Sequence, residues 1–265
     1  MAASSRVRAG LGLCICLAAA LPASAEAPAP IQSVLLYVIP TRVDEGIDLE
    51  RPLRVALHAD DPAALSEALG SGAVHEGDRV IVDLRQPPAP VPGDPARYRS
   101  ATFLADFEDP AVAALAERAA GRFGPAPGVS ELVVFVRETI EPSLSRGFDL
   151  ASQVAVHRQG DCTEHAVLFA ALARRFGHAT RIASGTVLVV LGGELQAFGH
   201  AWNEVHDGEG WRTVDPTDLG EARALAYLAD GRFEDEGPSY GLELIGRVVG
   251  RSLTLVEVLG YAGDD

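Results

Sequence analysis

Three short segments of the sequence carry side chains that could act together as a nucleophile, a base and an orienting acid. These segments are Gly160–His165, His200–Val205 and Trp211–Thr217. Cys162 lies at the start of a helical pattern, where the helix dipole and free N–H groups are expected to lower the pKa of its thiol. A reactive thiol also needs a neighbouring base, and the base needs a third group that holds its tautomer. His200 and Asp215 are our candidates for these two roles.

A predicted β-hairpin brings His200 and Asp215 together. The turn-forming sequence Asp-Gly-Glu-Gly separates two β-like runs, at residues 200–205 and 211–214. A two-residue loop made of the Asp-Gly pair places the two side chains directly opposite each other, whereas a Gly-Glu loop leaves them diagonal. Because side chains alternate between the faces of a strand, either loop keeps both on one face and within reach. A loop of odd length would separate them and exclude the arrangement.

The three segments resemble the core motifs of the transglutaminase-like superfamily, a group of papain-like thiol enzymes. In that family Gly-Asp-Cys opens a helix, His-Ala-Trp-x-Glu-Val lies on a strand, and Trp-x-x-x-Asp-Pro-Thr lies on the next strand; all three occur here in this order. The likeness covers roughly residues 106–220. It implies an α+β fold in which the cysteine helix packs on an antiparallel sheet. It also implies Cys162 as nucleophile, His200 as general base and acid, and Asp215 as the orienting carboxylate.

The resemblance implies a reaction class as well. A thiolate attacks an amide or ester carbonyl, a thioester acyl-enzyme forms, and an acceptor resolves it. Water as the acceptor makes a peptidase or amidase, which is the function that we expect, with a peptide or protein as substrate. An amine as the acceptor makes a protein-crosslinking transglutaminase. A non-catalytic binding module that keeps the fold is the third alternative.

Other residues near the three segments are candidates for supporting roles. Trp202 and His165 are candidates for substrate binding, each with a structural role as the alternative. The oxyanion donor could be the backbone N–H of Cys162, Gln153 or Gln159. The Cys-x-x-His spacing of the first segment does not predict zinc, because the chain offers no second cysteine there. We expect no metal and no cofactor, since calcium loops and phosphate-binding glycine-rich loops are absent from the sequence.

Hydrophobic periodicity and capping residues predict the elements that must position these side chains. Helices are predicted over Pro62–Leu69, from Asp109 onward, and over Ser130–Ile140, Cys162–Phe176 and Glu221–Leu228. Strands are predicted over Val34–Ile39, Leu53–Leu57, Val80–Leu84, Thr180–Ser184, Thr186–Leu191, His200–Val205, Trp211–Val214, Leu242–Val249 and Leu253–Leu259.

Composition and charge bound the overall organisation. The chain has 265 residues, 48% of them hydrophobic, and a net charge of −15 at pH 7, which together indicate an acidic globular protein. Because an acidic surface repels phosphates, we expect no nucleic-acid partner. We expect a small β-rich N-terminal module at residues 26–105, a catalytic core at 106–220, and a C-terminal extension at 221–265 that completes the core.

The N-terminus has the layout of a secretory signal peptide. Two arginines precede the uncharged, mostly apolar run Ala9–Leu21, and an Ala-Ser-Ala pattern predicts cleavage after Ala25. The apolar run is shorter than the roughly 20 residues of a membrane-spanning helix. We therefore expect a secreted or periplasmic protein without an integral membrane span after signal removal. The mature chain keeps one cysteine, Cys162, so it can form no internal disulfide.

Overall fold

The structure, a computed structural model, describes residues 37–144, 147, 149–234, 236–242 and 253–263. The main helices within these residues are α1 (Pro62–Leu69), α2 (Pro110–Phe123), α3 (Val129–Thr139), α4 (Ala151–His157) and α5 (Cys162–Arg175). The strands within them are β1 (Tyr37–Ile39), β2 (Thr41–Arg42), β3 (Leu53–Ala59), β4 (Ala73–Glu76), β5 (Arg79–Asp83), β6 (Glu141–Pro142), β7 (Gln159–Gly160), β8 (Thr180–Leu191), β9 (Glu194–His206), β10 (Trp211–Val214), β11 (Arg223–Arg232) and β12 (Leu253–Tyr261).

The first sheet holds the strands of the second and third motif segments. Strands β8 and β9 form its long central hairpin, β11 pairs with β8, and both β1 and β10 pair with the other edge of β9. Along that edge β1 covers residues 197–199 and β10 covers residues 203–206. Within the described part of the chain, the stretch His200–Trp202 therefore has no strand neighbour on this side.

The second sheet combines strands from both ends of the described chain. Its order is β2-β12-β3-β5-β4, with β12 parallel to β2 and antiparallel to β3. One apolar cluster contains Leu57, Val80 and Val256 of this sheet together with Leu188 and Leu228 of the first sheet. The two sheets thus share a hydrophobic core, in which each such side chain contributes roughly 1.5–3 kcal/mol by its burial. The three domain boundaries proposed from the sequence stay a prediction.

Helix α5 lies in the interior of the molecule. All of its residues from Cys162 to Arg174 are buried, because α2, α3 and α4 pack on one side and strands β8 and β9 pack on the other. Small residues such as Ala166 and Ala170 allow these neighbours to approach closely, as expected for a helix buried on every face. The predicted α+β fold, with the cysteine helix packed on an antiparallel sheet, is confirmed.

The helix predicted over Glu221–Leu228 is wrong. Residues Arg223–Arg232 form strand β11, which pairs antiparallel with β8 and contains two register shifts. Alanine and leucine in this run favour a helix by intrinsic propensity, but that preference amounts to only a few tenths of a kcal/mol per residue. Pairing along a buried neighbouring strand outweighs it.

The other predicted elements differ from the structure mainly at their ends. Helix α1 matches its prediction, and α2, α3 and α5 begin within one residue of theirs. The two strands predicted on either side of Gly185 form one continuous strand, β8, while α4 and β4 have no predicted counterpart. The predicted signal peptide and nearly all of the run Leu242–Val249 lie outside the described residues.

Candidate active site

The start of α5 holds Cys162 through hydrogen bonds made by its neighbours. Asp161 is the N-cap, and its Oδ1 accepts from the Thr163 N–H at 2.7 Å. Glu164 completes a capping box, because its Oε2 accepts from the Asp161 N–H at 3.0 Å. A Cβ at Gly160 would lie 2.2 Å from the Glu164 Cβ, so the position needs glycine. The first motif is therefore a capping unit that places Cys162 in the first turn of a buried helix.

The thiol of Cys162 lies against the open stretch of the β9 edge. The backbone N–H of Ala201 donates toward its sulfur. Helix α5 is tied to the same strand by Asn203, whose Nδ2 donates to the Ala166 carbonyl at 3.0 Å. In the gap between β1 and β10, the start of the cysteine helix thus contacts the β9 backbone next to His200.

The β9–β10 hairpin brings His200 and Asp215 together. Asp207 donates its N–H to the Gly210 carbonyl at 3.0 Å, and the antiparallel register continues from this pair. The loop is therefore the two-residue Gly-Glu loop, one of the two even-length loops that the sequence allows. His200 Nε2 lies 2.8 Å from Asp215 Oδ2. The predicted hairpin is confirmed, with the two residues in the diagonal arrangement.

Asp215 is a buried carboxylate with three hydrogen-bond donors. Its Oδ2 accepts from His200 and from the Tyr227 hydroxyl, each at 2.8 Å, and its Oδ1 accepts from the Thr217 N–H at 2.8 Å. Burial raises the pKa of Asp215, but His200 and the hydrogen bonds outweigh burial and hold the pKa below its ordinary value. The carboxylate is therefore ionised at neutral pH. Arg137 from α3 donates to the Asp215 main-chain carbonyl at 2.9 Å.

The ionised Asp215 decides which nitrogen of His200 carries the proton. A carboxylate only accepts hydrogen bonds, so the network assigns a proton to Nε2. In the neutral ring, Nδ1 is then an unprotonated acceptor. This nitrogen is buried and has no hydrogen-bond partner among the described residues. The ring thus has one nitrogen held in place and the other available as a base.

Burial opposes ionisation of the Cys162 thiol. Cys162 and His200 are both 0% exposed. Burial, followed by the charge of Asp161, raises the pKa of the thiol well above its ordinary value, and the Ala201 N–H offsets only part of this. The lowered thiol pKa expected from the helix start is wrong for this closed arrangement, because burial and the charge of the capping Asp161 carboxylate both oppose the thiolate. A thiolate can form here only with a partner that takes its proton.

Comparison with known proteins relates this geometry to a family. Residues 113–216 match the sequence model of the transglutaminase-like superfamily. This matched segment covers less than half of the chain and contains Cys162, His200 and Asp215. A crystal structure of a candidate cysteine protease from Cytophaga hutchinsonii is similar to the chain, with 21% identity and a TM-score of 0.39 over 51% of this chain and 47% of that one. The likeness thus spans about half the length of that protein. A search of curated proteins found no match.

Trp202 and His165, the two candidates for substrate binding, are buried inside the matched segment. The Trp202 ring stacks on His200 with centroids 6.0 Å apart and meets the Tyr227 ring edge-on at 5.2 Å. His165 Nδ1 forms a 2.6 Å hydrogen bond with the Asp161 carbonyl. Neither side chain reaches the surface in this structure, and their part in substrate binding stays a prediction. Both pack around the site from the inside.

Gln153 and Gln159, the two glutamines considered as oxyanion donors, make other contacts. Gln153 Oε1 accepts from the Leu150 N–H at 2.9 Å and thereby caps α4. Gln159 Nε2 donates to Glu141 at 3.4 Å, alongside the short β6–β7 ladder. The backbone N–H of Cys162 stays the predicted oxyanion donor.

Sequence reasoning missed two buried sets of contacts around the candidate site. Tyr227 lies in the run predicted as a helix, and nothing local in the sequence marks its contact with Asp215. Glu204 of the second motif forms buried ion pairs with Arg181 at 2.6 Å and with Arg232 at 3.1 Å. The motif position is a sequence signal for Glu204, whereas Tyr227 becomes visible only once β11 is known to be a strand.

The proline-rich stretch Gln86–Pro95 is hydrogen-bonded to side chains of strands β8 and β10. Arg181 donates to the Val91 carbonyl at 2.6 Å, and the Trp211 indole N–H donates to the Gly93 carbonyl at 3.1 Å. The Arg181 guanidinium also stacks over the Trp211 ring, 4.1 Å from its centroid. This loop covers the Trp202 side of the sheet, where its prolines line a small cavity.

The described residues were also searched for metal sites and membrane spans. Within them, no group of three or more His, Cys, Asp or Glu side chains is arranged to hold a metal ion. None of the helices in that part of the chain is long and apolar enough to cross a bilayer.

Proposed function

We propose that this protein is an exported thiol enzyme that cleaves peptide or amide bonds through a thioester on Cys162. The observation that supports this proposal is the pairing of His200 with ionised Asp215, which leaves Nδ1 of a buried imidazole unprotonated and unpartnered among the described residues. A buried polar atom without a partner costs about 1–3 kcal/mol, so a purely structural histidine would be expected to satisfy both nitrogens. The free Nδ1 therefore favours a role as a base.

The two ends of the site lie within electrostatic reach of each other. The charge of Asp215 acts on the Cys162 thiol, and the charge of His200 acts on the neighbouring Asp161. The thiol also meets the backbone of Ala201, the residue that follows His200. These contacts support the assignment of the three residues to one reaction centre.

In the proposed reaction, His200 Nδ1 takes the proton of the Cys162 thiol as the sulfur attacks the carbonyl carbon of the substrate. The carbonyl electron pair moves to oxygen, and Asp215 stabilises the imidazolium that forms. The imidazolium gives its proton to the leaving amine as the C–N bond breaks, which leaves a thioester. Water, deprotonated by the same nitrogen, then hydrolyses the thioester and restores the thiol.

The direct test compares the mature protein with Cys162→Ala on unfolded protein substrates. We expect new amino termini, detected by mass spectrometry, with the wild type and none with the variant. His200→Ala should behave like Cys162→Ala, while both variants keep the circular dichroism spectrum of the wild type. Equal cleavage by the wild type and Cys162→Ala would overturn the proposal.

The acyl acceptor is tested in the same reaction mixture. We expect water to resolve the thioester, because hydrolysis needs no second substrate site. A labelled primary amine is therefore expected to stay free in solution. Incorporation of the amine into glutamine side chains, without new amino termini, would show that the protein is a crosslinking enzyme and not a hydrolase.

One observation favours a non-catalytic binding module as the second candidate. Cys162 is fully buried and its thiol pKa is raised, chiefly by burial. A module of this kind needs the fold and not the thiol, so its biological function would survive in Cys162→Ala. An enzyme needs the sulfur exposed to substrate at some stage, so the same variant would lose function while it stays folded.

Export is part of the proposal and is tested separately. The signal-like layout that ends at Ala25 supports it. The protein recovered from outside the cytoplasm should begin at Glu26, as read by amino-terminal sequencing. Recovery of an uncleaved chain from the cytoplasm would contradict export and would leave the proposed chemistry unaffected.

A further inference from the structure

Tyr227 reaches the triad from a strand that is not adjacent to it. Strand β11 pairs with β8, so β8 separates Tyr227 from the β9–β10 hairpin that carries His200 and Asp215. Gly185 of β8 pairs with His200 on one side and with Ala229 on the other. Tyr227 itself pairs with Val187, two residues before this point on β11. The β8 position beside His200 therefore has no side chain, and the Tyr227 and His200 rings lie with centroids 6.2 Å apart.

Glycine is required at position 185. A Cβ at Gly185 would lie 2.0 Å from the Leu228 carbonyl oxygen and 2.9 Å from the Ala229 Cα. Real Cβ atoms do not approach backbone this closely, so any larger residue would push β11 away from β8. The approach of β11 places the Tyr227 hydroxyl 2.8 Å from Asp215 Oδ2.

A single carboxylate oxygen thus serves two donors. Asp215 Oδ2 accepts from His200 Nε2 and from the Tyr227 hydroxyl. Burial and the charge of Asp215 raise the pKa of Tyr227 above its ordinary value, so the phenol keeps its proton and donates throughout the neutral range. Hydrogen bonds to an ionised acceptor are stronger than those between neutral groups, so the two donors can orient the carboxylate.

We propose that Tyr227 is a positioning residue of the triad, whose hydroxyl fixes the Asp215 carboxylate and limits how strongly that carboxylate holds a protonated His200. This inference rests on the proposed function, since it assigns Tyr227 a part in the same reaction. Tyr227 acts through Asp215 and makes no contact with substrate in the proposal. Its effect should therefore disappear when Asp215 no longer carries a charge.

Removal of the hydroxyl has two predictable consequences. In Tyr227→Phe the carboxylate loses one donor, so it becomes a stronger acceptor and holds the imidazolium more tightly. The pKa at which the imidazolium of the thiolate–imidazolium pair loses its proton should rise, by about 0.5–1 unit. The carboxylate also loses an orienting contact, so the turnover number should fall about tenfold while KM changes little.

The experiment follows the ultraviolet absorbance of the Cys162 thiolate against pH, with Cys162→Ser as the blank, and measures turnover in parallel. Tyr261→Phe is the matched control, because it also removes one phenol, whose oxygen accepts from the Asp48 N–H far from the triad. We expect the control to match the wild type in both measurements. Incorporation of 3-fluorotyrosine at position 227 strengthens the donor, so it should shift the profile in the direction opposite to Tyr227→Phe.

A double-mutant cycle with Asp215→Asn separates positioning from general packing. If Tyr227 acts through the carboxylate, Tyr227→Phe should change neither the profile nor turnover in the Asp215→Asn background. The same shift in both backgrounds would overturn the inference. Should Tyr227→Phe fail to fold, the 3-fluorotyrosine protein keeps the ring and still tests the donor, and an unshifted profile would then overturn the inference.

The outcomes distinguish the inference from the proposed function. If the wild type cleaves substrate and Tyr227→Phe has an unchanged profile and turnover, Tyr227 is structural and the thiol enzyme stands. If His200→Ala leaves the thiolate titration of the wild type unchanged, the pair does not form, and both the function and the role of Tyr227 are wrong.

Discussion

The candidate site has buried carboxyl groups at two ends, the β9–β10 hairpin and the start of α5. The neighbours of these groups differ, and so does their protonation. At the hairpin end, Asp215 meets a histidine and two further donors, and its pKa lies below the ordinary value in spite of burial. At the helix end, Asp161 and Glu164 face each other. Burial, reinforced by the charge of Asp161, raises the pKa of Glu164 to about 8. Burial alone therefore does not decide the charge of a carboxyl group here.

The difference follows from what each carboxylate can accept. Asp215 is held by three donors, one of them the titratable ring of His200, and these favour its charged form. Glu164 accepts two backbone N–H groups but also has a second carboxylate as neighbour, and like charges in a buried place disfavour ionisation of both. The hairpin end is built to hold a charge that supports His200, and the helix end is built to cap a helix.

The largest expected effect comes from removing the charge at the hairpin end. Asp215→Asn should lower turnover by about 10²–10⁴-fold, because the imidazolium loses its counter-charge and the amide can favour the wrong tautomer. Asp218→Asn is the control, since Asp218 caps an exposed turn through the Gly220 N–H. Turnover within twofold of the wild type in Asp215→Asn would remove the carboxylate from the mechanism.

Substitution of Gly185, near the hairpin end, and of Gly160, near the helix end, should lower the stability of the protein by different amounts. We expect Gly185→Ala to lower the free energy of unfolding by about 3–4 kcal/mol, because its Cβ would collide with backbone of β11. Gly160→Ala should cost about 2 kcal/mol, since its Cβ meets the Glu164 side chain.

Urea denaturation measures both changes. Gly121→Ala is the control, because a Cβ there meets nothing within 4 Å and an alanine should stabilise helix α2 by about 0.5–1 kcal/mol. Equal stability of Gly185→Ala and wild type would show that β11 can shift, and would weaken the placement of Tyr227.

The protonated Glu164 predicts an unusual pH dependence of stability. The folded state holds this proton up to about pH 8, whereas the unfolded chain loses it near the ordinary pKa of 4.5. The folded state therefore binds more protons between these values, and the contribution of Glu164 to the free energy of unfolding falls as the pH rises through this window. Glu164→Gln imitates the protonated form, so it should remove this decline and stabilise the protein by about 1–2 kcal/mol at pH 8.

Urea denaturation at a series of pH values measures this slope. Glu131→Gln is the matched control, since Glu131 closes the corresponding capping box of α3 through the Gly128 N–H. We expect this control to keep the slope of the wild type. A slope that survives in Glu164→Gln would assign the pH dependence to another group and contradict the protonation of Glu164.

The smallest effect on stability is expected from Asp161→Asn, which keeps the N-cap and removes the charge nearest the thiol. Asparagine caps helices about as well as aspartate, so the free energy of unfolding should change by less than about 0.5 kcal/mol. The charge of Asp161 is the second-largest cause of the raised Cys162 pKa, so that pKa should fall. The ultraviolet titration of the thiolate measures the shift, and an unchanged titration would show that burial alone holds the proton.

The sequence by itself was sufficient for the parts of the site that form locally. Capping residues and the glycine before them predict where α5 begins, and therefore that Cys162 lies in its first turn. The turn sequence offers two even-length loops, and either one keeps His200 and Asp215 on one face. Both features depend on residues within about fifteen positions, where backbone preference and side-chain alternation decide the outcome.

Tertiary structure decided the parts that depend on distant strands. Helix propensity pointed the wrong way at β11, because pairing with β8 outweighs the preference of a few alanines and leucines. Without that strand, Tyr227 could not be placed beside Asp215. The expected pKa of the thiol was wrong for the same kind of reason. A local helix dipole favours the thiolate, but burial of the thiol and the charges of neighbouring carboxylates outweigh it. Sequence proximity thus determined which residues are candidates for the reaction, and long-range packing determined their solvent exposure and protonation.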